Sequence, residues 1–264
     1  MREYFNLCES DFLASRIVRG AKKIILDDKK ATLSLMERDD ESVYFVSTDE
    51  RIIENERAID SLVELTAMAI KKIFRRFAIK KDDLIMVVGV GNDCFVADSL
   101  GVKSVEQITP ILTEKTRLCA LCPSVSGRTG IESFDIVKSL VERLRPKAVV
   151  CIDTLSTNSA TRLSKVIQIR DGGLTPGIGV GNQKTAFDRS TLGTLVVGIG
   201  VPLIIHAKNL LSDYFELVTQ RIDLSKLDCA VGDLIVASKE VDLYVEAYSK
   251  IIGKAINKVA SGKN

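Results

Sequence analysis

The sequence predicts an α/β protein, namely a three-layer αβα sandwich with a mostly parallel central sheet and a small N-terminal β element. Two observations carry this prediction. Short runs of consecutive apolar residues recur from residue 84 onward, which is typical of strands buried on both faces. Stretches with apolar residues at helical spacing lie between these runs. Buried strands that alternate with amphipathic helices indicate a parallel or mixed sheet with helices on both faces.

The N-terminal part favours a small antiparallel element within residues 20–50. Its three β-prone runs are Lys23–Leu26, Ala31–Met36 and Ser42–Val46. Clusters of Asp, Glu and Lys separate them, which suits hairpin turns. A long amphipathic helix is then predicted from about Glu54 to Phe77, because apolar residues recur there at helical spacing and cations cluster near its C-terminus.

The rest of the chain alternates between the two element types. Buried strands are predicted at Leu84–Gly91, Leu118–Cys122, Ala148–Ile152, Val166–Ile169 and Leu195–Ile199. Helices are predicted at Ile131–Leu144, Pro202–Val218 and Val241–Val259. Since no repeat or low-complexity segment interrupts the pattern, we interpret residues 1–264 as a single α/β domain.

Charge and hydropathy argue against two classes of partner. The chain has 37 Lys and Arg against 35 Asp and Glu, and this net charge of +2 argues against a large nucleic-acid footprint, which would need a clustered basic excess. Its start lacks the basic and apolar segments of a signal peptide. The longest apolar run, Leu195–Ile205, is shorter than the roughly 20 residues that span a bilayer. We therefore expect a cytoplasmic protein with no membrane partner.

Cysteine and histidine usage argues against a metal centre. Cys119 and Cys122 form a lone CxxC, whereas a zinc site needs a second pair or histidines. The single histidine is His206, which we interpret as a helix residue without a catalytic role. The cysteines of such a chain are expected to be reduced thiols that pack as small apolar residues.

The glycines after the first buried strand resemble part of a nucleotide motif. Val88–Asn92 contains Gly89 and Gly91 in the spacing that opens GxGxxG, but Cys94 stands where the third glycine belongs. We predict no cofactor here. The glycines instead indicate a tight turn from strand to loop, which needs residues without a Cβ, or a close approach of the backbone to a substrate.

Two aspartates follow buried strands and could carry chemistry. Asp153 comes directly after Ala148–Ile152, and Asp98 lies a few residues beyond Leu84–Gly91. Ligands gather beyond the carboxyl ends of strands in open α/β sheets. Structural alternatives remain open: Asp98 as a helix N-cap or first-turn residue, and Asp153 in an Asx-turn.

Two carboxylates at one sheet edge have a clear chemical use. They cannot both ionise cheaply, so one pKa rises and the pair can share a proton. Such a pair can activate a water and protonate the amine that leaves an amide bond. A site of this kind needs neither a metal nor a histidine, whereas a serine–histidine triad would depend wholly on His206.

Many ordered stretches resemble the bacterial spore germination protease family, whose members degrade small acid-soluble spore proteins. The resemblance covers residues 83–213 well, together with the last helix, while the first eighty residues match weakly. The stretches that carry it include Val87–Asn92, Asp98–Gly101, Gly127–Glu132, Asp135-Ile136, Ile152-Asp153, Gln168-Ile169, Asp171, Pro176-Gly177, Gly179–Asn182, Leu192-Gly193, Val197–Pro202, Ser212-Asp213 and Lys239–Asp242. Two departures are a shortened segment between Val218 and Lys239, and His206 where the family often has an acidic residue.

The resemblance implies a function and an assembly. It implies an endopeptidase of the spore core with a fold akin to hydrogenase maturation endopeptidases, small acid-soluble spore proteins as substrates, and a homotetramer. The two aspartates that are regarded as essential in that family correspond to Asp98 and Asp153 of this chain. Family members are zymogens, and Ser10–Ala14 resembles a processing site with its scissile bond between Asp11 and Phe12. Residues 1–11 are thus a candidate propeptide, although Ser10 also suits a helix cap.

Further expectations concern the substrate cleft and two alternative functions. Substrate contacts are expected at Asn92 and, in the glycine-rich loop, at Gly177, Gly179, Gly181 and Asn182, where backbone N–H groups could stabilise an oxyanion. One alternative is a metal-dependent maturation-type endopeptidase with Asp98, Asp153 and His206 as ligands. The other is a catalytically silent spore protein that uses the fold to bind a partner.

Overall fold

The structure is a computed structural model that describes residues 22–25, 30–38, 41–176, 185–217, 231–232 and 234–262. The strands within these ranges are β1 (Lys22–Ile25), β2 (Thr32–Arg38), β3 (Glu41–Ser47), β4 (Leu84–Gly89), β5 (Ile111–Thr113), β6 (Thr116–Leu121), β7 (Ala148–Thr157), β8 (Val166–Arg170), β9 (Leu195–His206) and β10 (Ile235–Ala237). The α-helices are α1 (Glu56–Arg76), α2 (Leu100–Glu106), α3 (Ser126–Thr129), α4 (Ser133–Leu144), α5 (Arg189–Leu192), α6 (Ala207–Leu217) and α7 (Val241–Ser261).

The described strands form one mixed sheet. Their order is β1-β2-β3-β8-β9-β7-β4-β6-β5, and β10 pairs with β9. The four central strands β9, β7, β4 and β6 are parallel to one another. The strands on both flanks pair antiparallel. The predicted N-terminal antiparallel element is confirmed, and it extends the main sheet because β3 pairs with β8.

Helices cover both faces of the sheet, which confirms the predicted three-layer α/β class. The larger core cluster joins the apolar sides of α1, α2 and α7 to one face, through residues such as Leu62, Leu100 and Ile252. A second cluster packs α4 and α5 on the other face, through Val137 and Leu192. No helix in the described ranges is long and apolar enough to cross a membrane.

Strands β7 and β9 are longer than the sequence predicted. Strand β7 continues to Thr157 and β9 to His206, so α6 begins at Ala207 and the prediction of a helix from Pro202 is wrong. Proline cannot donate a ladder hydrogen bond, and within sheets it is confined to edges and bulges. The register of β7 against β9 shifts immediately after the Leu155–Pro202 pair. This irregularity in the pairing accounts for a proline within β9.

Candidate active site

A tight loop follows the carboxyl end of β4, and its conformation requires glycine at position 91. Gly89 pairs with Ile152 of β7, and the next N–H, that of Val90, donates to the Ile152 carbonyl at 2.8 Å. Gly91 has a φ of 119°, and a Cβ added there would lie 2.0 Å from the Asp98 carbonyl oxygen. The predicted tight turn is therefore confirmed, because the loop folds back onto Asp98 too closely for any side chain.

Asp98 ends a 3-10 turn, Val96–Asp98, that precedes α2. Its Oδ2 accepts a hydrogen bond from the Asn92 N–H at 2.9 Å, and its carbonyl oxygen accepts from the same N–H at 3.2 Å. The interpretation of Asp98 as the N-cap of α2 is wrong, because Ser99 holds that position, whereas the alternative of a first-turn residue holds for the preceding 3-10 turn. The half-buried carboxylate instead closes the loop that begins at the end of β4.

Asp153 lies within β7, and its prediction as the residue at the strand end is wrong. It pairs with Gly200 of β9, and β7 continues for four residues beyond it. Towards β4, however, pairing ends at Ile152, so Asp153 is the first residue of β7 beyond the carboxyl end of its neighbour. Its side chain is buried, with 5% of the residue exposed, and Oδ1 accepts from the Thr154 N–H at 2.8 Å. Since β7 is extended here, the Asx-turn alternative is also wrong.

The structure brings the two carboxylate-bearing segments into contact. The 3-10 turn that carries Asp98 packs against β7 and β9, the strands that hold Asp153 and its partner Gly200. Residues 149, 151 and 153 share one face of β7 by strand alternation. The pKa of the Cys151 thiol is raised, first by burial and then by the negative charge of Asp153. Asp153 is thus largely removed from water, and a buried site favours one shared proton between neighbouring carboxyl groups.

Asn92 shapes the same loop. Its N–H binds Asp98, and its Oδ1 accepts from the Cys94 N–H at 3.0 Å. A substrate contact at Asn92 stays a prediction. The other expected substrate residues, Gly177, Gly179, Gly181 and Asn182, and the expected processing site at Asp11 and Phe12, lie outside the described residues.

One ion pair beside the loop was not predicted. Arg128 of α3 bonds Asp93 through Nη1, and the same nitrogen lies 3.5 Å from Cys94 Sγ. The hydrogen bond from Arg128 holds the pKa of Asp93 below its usual range. The pair ties the segment after β6 to the loop that holds Asp98. The only signal in the sequence was that Arg128 lies within the Gly127–Glu132 stretch of the resemblance.

A small cavity lies beside Gly200, the residue of β9 that pairs with Asp153. Its volume is about 20 Å³, and Leu155, Gln168 and Gly200 are among the residues that line it. That volume is enough for about one water molecule. A Cβ on Gly200 would lie 2.5 Å from Leu155 Cγ, so glycine is what allows Leu155 to pack across β9 at this point.

The alternative metal site does not assemble. His206 is six residues beyond Gly200 on β9, which corresponds to about 20 Å along an extended strand. Within the described ranges, no group of three or more His, Cys, Asp or Glu side chains is placed to hold a metal ion. The prediction of Asp98, Asp153 and His206 as a ligand set is therefore wrong. Cys119 and Cys122 are both free thiols.

Comparison with known proteins gives consistent matches. The sequence model of the family described as "Germination protease" matches residues 24–228. A protein named "Germination protease" from Clostridium perfringens strain SM101 is 36% identical over 208 residues, which are 65% of this chain and 64% of that protein. One of the same name from Clostridium acetobutylicum is 31% identical over 235 residues, 75% of this chain and 72% of that protein. The chain thus spans about two thirds of the length of these relatives.

Among solved structures, the chain is similar to a NiFe hydrogenase maturation protease, HycI, from Thermococcus kodakarensis. The TM-score is 0.41 and the sequence identity 15%, over 70% of this chain and 96% of that one.

Proposed function

The chain belongs to the germination protease family, and from this premise we propose that it is an endopeptidase acting in spore germination. We propose Asp98 and Asp153 as the catalytic residues, within a single peptidase domain. The observation that carries the assignment is the packing of the Asp98 turn against β7, where Asp153 is buried just beyond the end of β4.

The proposed chemistry uses a proton that the two carboxyl groups share. The ionised carboxylate takes a proton from an attacking water, and the protonated partner donates to the peptide carbonyl oxygen as the C–O bond forms. As the tetrahedral intermediate collapses and the C–N bond breaks, the proton taken from water passes to the leaving amine, and one hydroxyl of the intermediate returns its proton to the second carboxylate as the C=O bond re-forms. The burial of Asp153 supports this division, because loss of hydration makes two adjacent negative charges costly.

The loop around Asn92 positions Asp98 for this role. Two hydrogen bonds from the Asn92 N–H, to Oδ2 and to the carbonyl oxygen, fix the Asp98 backbone and one side-chain oxygen. Groups placed in this way before the reaction lower the entropic part of the barrier. Substrate contacts at Asn92, Gly177, Gly179, Gly181 and Asn182 belong to the same proposal.

Biological details of the proposal come from the family resemblance. We propose small acid-soluble spore proteins as substrates, the spore core as the compartment, and a homotetramer as the assembly. Residues 1–11 would be a propeptide removed between Asp11 and Phe12. N-terminal sequencing of the matured chain tests the cleavage point, and light scattering tests the tetramer; an intact N-terminus or a monomer mass would contradict the respective proposal.

The decisive experiment compares three variants on a purified small acid-soluble spore protein. Asp98→Asn and Asp153→Asn should each lower kcat by at least about 100-fold, the typical contribution of a positioned acid or base. Asparagine at 98 keeps an oxygen that can accept from the Asn92 N–H, so the loop is preserved. Asp82→Asn, at an exposed position before β4, is the matched control and should retain full activity.

Two results would reject the assignment. Full cleavage by either Asn variant would remove that aspartate from the catalytic pair. No cleavage of the substrate by the parent chain, with binding that neither Asn substitution changes, would instead favour a silent binding protein of the same fold. Circular dichroism of each variant separates loss of chemistry from loss of folding.

A further inference from the structure

A second cleft lies at the opposite end of the sheet from the two aspartates. It has a volume of about 320 Å³ and opens between the C-terminal ends of α1 and α7, over the amino ends of β4 and β6. Ile85 of β4 lines this cleft, whereas the loop of the candidate active site starts at Val90. Five residues of extended strand separate them by about 17 Å. The cleft is therefore distinct from the proposed catalytic centre.

The floor of the cleft is apolar. Its buried lining residues are Ile70, Ile85, Leu118, Val150 and Ile256, each with less than a tenth of its surface exposed. They come from α1, β4, β6, β7 and α7, so several elements of the fold contribute to the floor. A volume of this size corresponds to roughly ten water molecules at about 30 Å³ each. The floor suits a short aliphatic group.

The rim of the cleft carries only positive charge among its ionisable residues. These residues are Lys71, Arg75, Lys80, Lys81 and Arg117. All but Lys71 are exposed, and those four form no ion pair within the described part of the chain. The nearby Asp83 does not line the cleft, and its carboxylate accepts from the Lys80 N–H at 2.8 Å.

Helix capping accounts for only part of this charge. The helices α1 and α7 both end here, and each C-terminus carries about half a negative charge. Lys81 lies beside one of them, since its Nζ is 3.1 Å from the position that a Cβ on Gly262, at the end of α7, would occupy. Two helix ends offset about one of the four exposed positive charges. An excess of about three remains, in a chain whose net charge is only +2.

We propose that this cleft binds a small amphipathic anion, an aliphatic carboxylate whose chain lies on the apolar floor and whose head group meets the cationic rim. Apolar pockets with a few placed polar groups are the usual form of small-molecule sites. The apolar floor supplies affinity through the area it removes from water, and the rim selects the sign of the head group. This inference is independent of the proposed peptidase chemistry.

Calorimetric titration of the full chain with sodium octanoate tests the proposal. We expect saturable binding of one octanoate per chain. Octylamine, which has the same tail and a positive head group, and acetate, which lacks the tail, should show no saturable binding at the same concentrations. The Asp153→Asn variant should bind octanoate like the parent chain, so that failure of this proposal is separable from failure of the catalytic one.

Variants locate the site. Lys80→Gln combined with Arg117→Gln should weaken octanoate binding at least tenfold, whereas Arg143→Gln combined with Lys239→Gln removes the same charge elsewhere and should change it less than twofold. Ala260→Leu, which fills part of the cleft, should also weaken binding. No saturable octanoate binding, equal binding of octylamine, or equal binding by the Lys80/Arg117 double variant would overturn the proposal.

Discussion

At the scale of single residues, Asp153 is the feature that most needs an explanation. A carboxylate in the middle of a central strand, with 5% of the residue exposed, loses most of its hydration. Cores tolerate such groups where they are hydrogen-bonded or serve chemistry. Asp98 differs, because it is half-buried in a turn and already accepts from the Asn92 N–H. In the proposed pair, the two aspartates would therefore sit in different environments.

Gly91 provides a test of how strictly the loop positions Asp98. Gly91→Ala puts a Cβ against the Asp98 carbonyl oxygen and forces a side chain into a positive φ, which alone costs about 1–3 kcal/mol. We expect a loss of unfolding free energy of at least that size in urea denaturation. We also expect a fall in peptidase activity, because Asp98 must move.

Gly127→Ala is the matched control for that substitution. A Cβ at Gly127 meets nothing within 4 Å, and the residue lies in α3. Alanine is favoured over glycine in a helix by roughly 0.5–1 kcal/mol, so stability should be unchanged or slightly higher. Equal losses in the two variants would show that the Gly91 turn does not have the geometry described.

At the scale of elements, a buried polar network joins the N-terminal strands to the sheet. Asp171 follows β8, and its carboxylate accepts from the Ser42 N–H of β3 at 2.8 Å and from Arg76 of α1 at 3.1 Å. Burial raises the pKa of Asp171, while these two partners act to lower it. Glu41 adds a second link between the same strands, through Arg170 at 2.7 Å. The network therefore couples one helix to two antiparallel strands.

Arg76→Ala should destabilise the protein in a pH-dependent way. At neutral pH it removes the ion-pair partner of the buried Asp171 carboxylate, which should cost about 1.5–3 kcal/mol. A carboxyl group with a raised pKa in the folded state contributes stability at low pH that is lost as the pH rises through that pKa. Removal of Arg76 raises this pKa further. The penalty should therefore be largest at neutral pH and should shrink as acid protonates Asp171.

Urea denaturation of both proteins between pH 7 and pH 4 measures this trend. Arg75→Ala is the control, because the neighbouring Arg75 is exposed and forms no ion pair within the described ranges; its effect should stay within about 0.5 kcal/mol. A penalty for Arg76→Ala that stays constant over the pH range would mean that Asp171 is not its main partner.

At the scale of the whole molecule, the central strands are shielded by helices on both faces. Cys151 of β7 is fully buried, and burial raises the pKa of its thiol. The thiolate is the reactive form of cysteine. Cys151 is therefore protected from modification both because reagents cannot reach it and because its thiol stays protonated. Cys94, in the loop after β4, is exposed. Modification of Cys94 therefore needs no opening of the fold, whereas modification of Cys151 needs the sheet to open.

Thiol labelling should follow this difference. With iodoacetamide at neutral pH and without denaturant, we expect rapid modification of Cys94 and none of Cys151, as located by peptide mass spectrometry. Labelling of Cys151 should rise with urea in parallel with global unfolding measured by circular dichroism, because the core of β7 opens only when the fold does. Modification of Cys151 well below the unfolding transition would contradict the position of β7 in the sheet.

The sequence by itself determined the α/β class and the order of the main elements, and it led to the proposal of both aspartates, because hydrophobic periodicity and the ordered resemblance are local properties of the chain. It could not determine that β7 passes Asp153 and that β9 runs through Pro202 to His206, because strand length depends on which neighbours supply hydrogen bonds. Only the tertiary structure decided that His206 lies about 20 Å from Gly200 along β9, and that basic residues from α1, β6 and the segment between α1 and β4 meet at one cleft. Such distances arise from packing between segments far apart in the chain, and no local pattern records them.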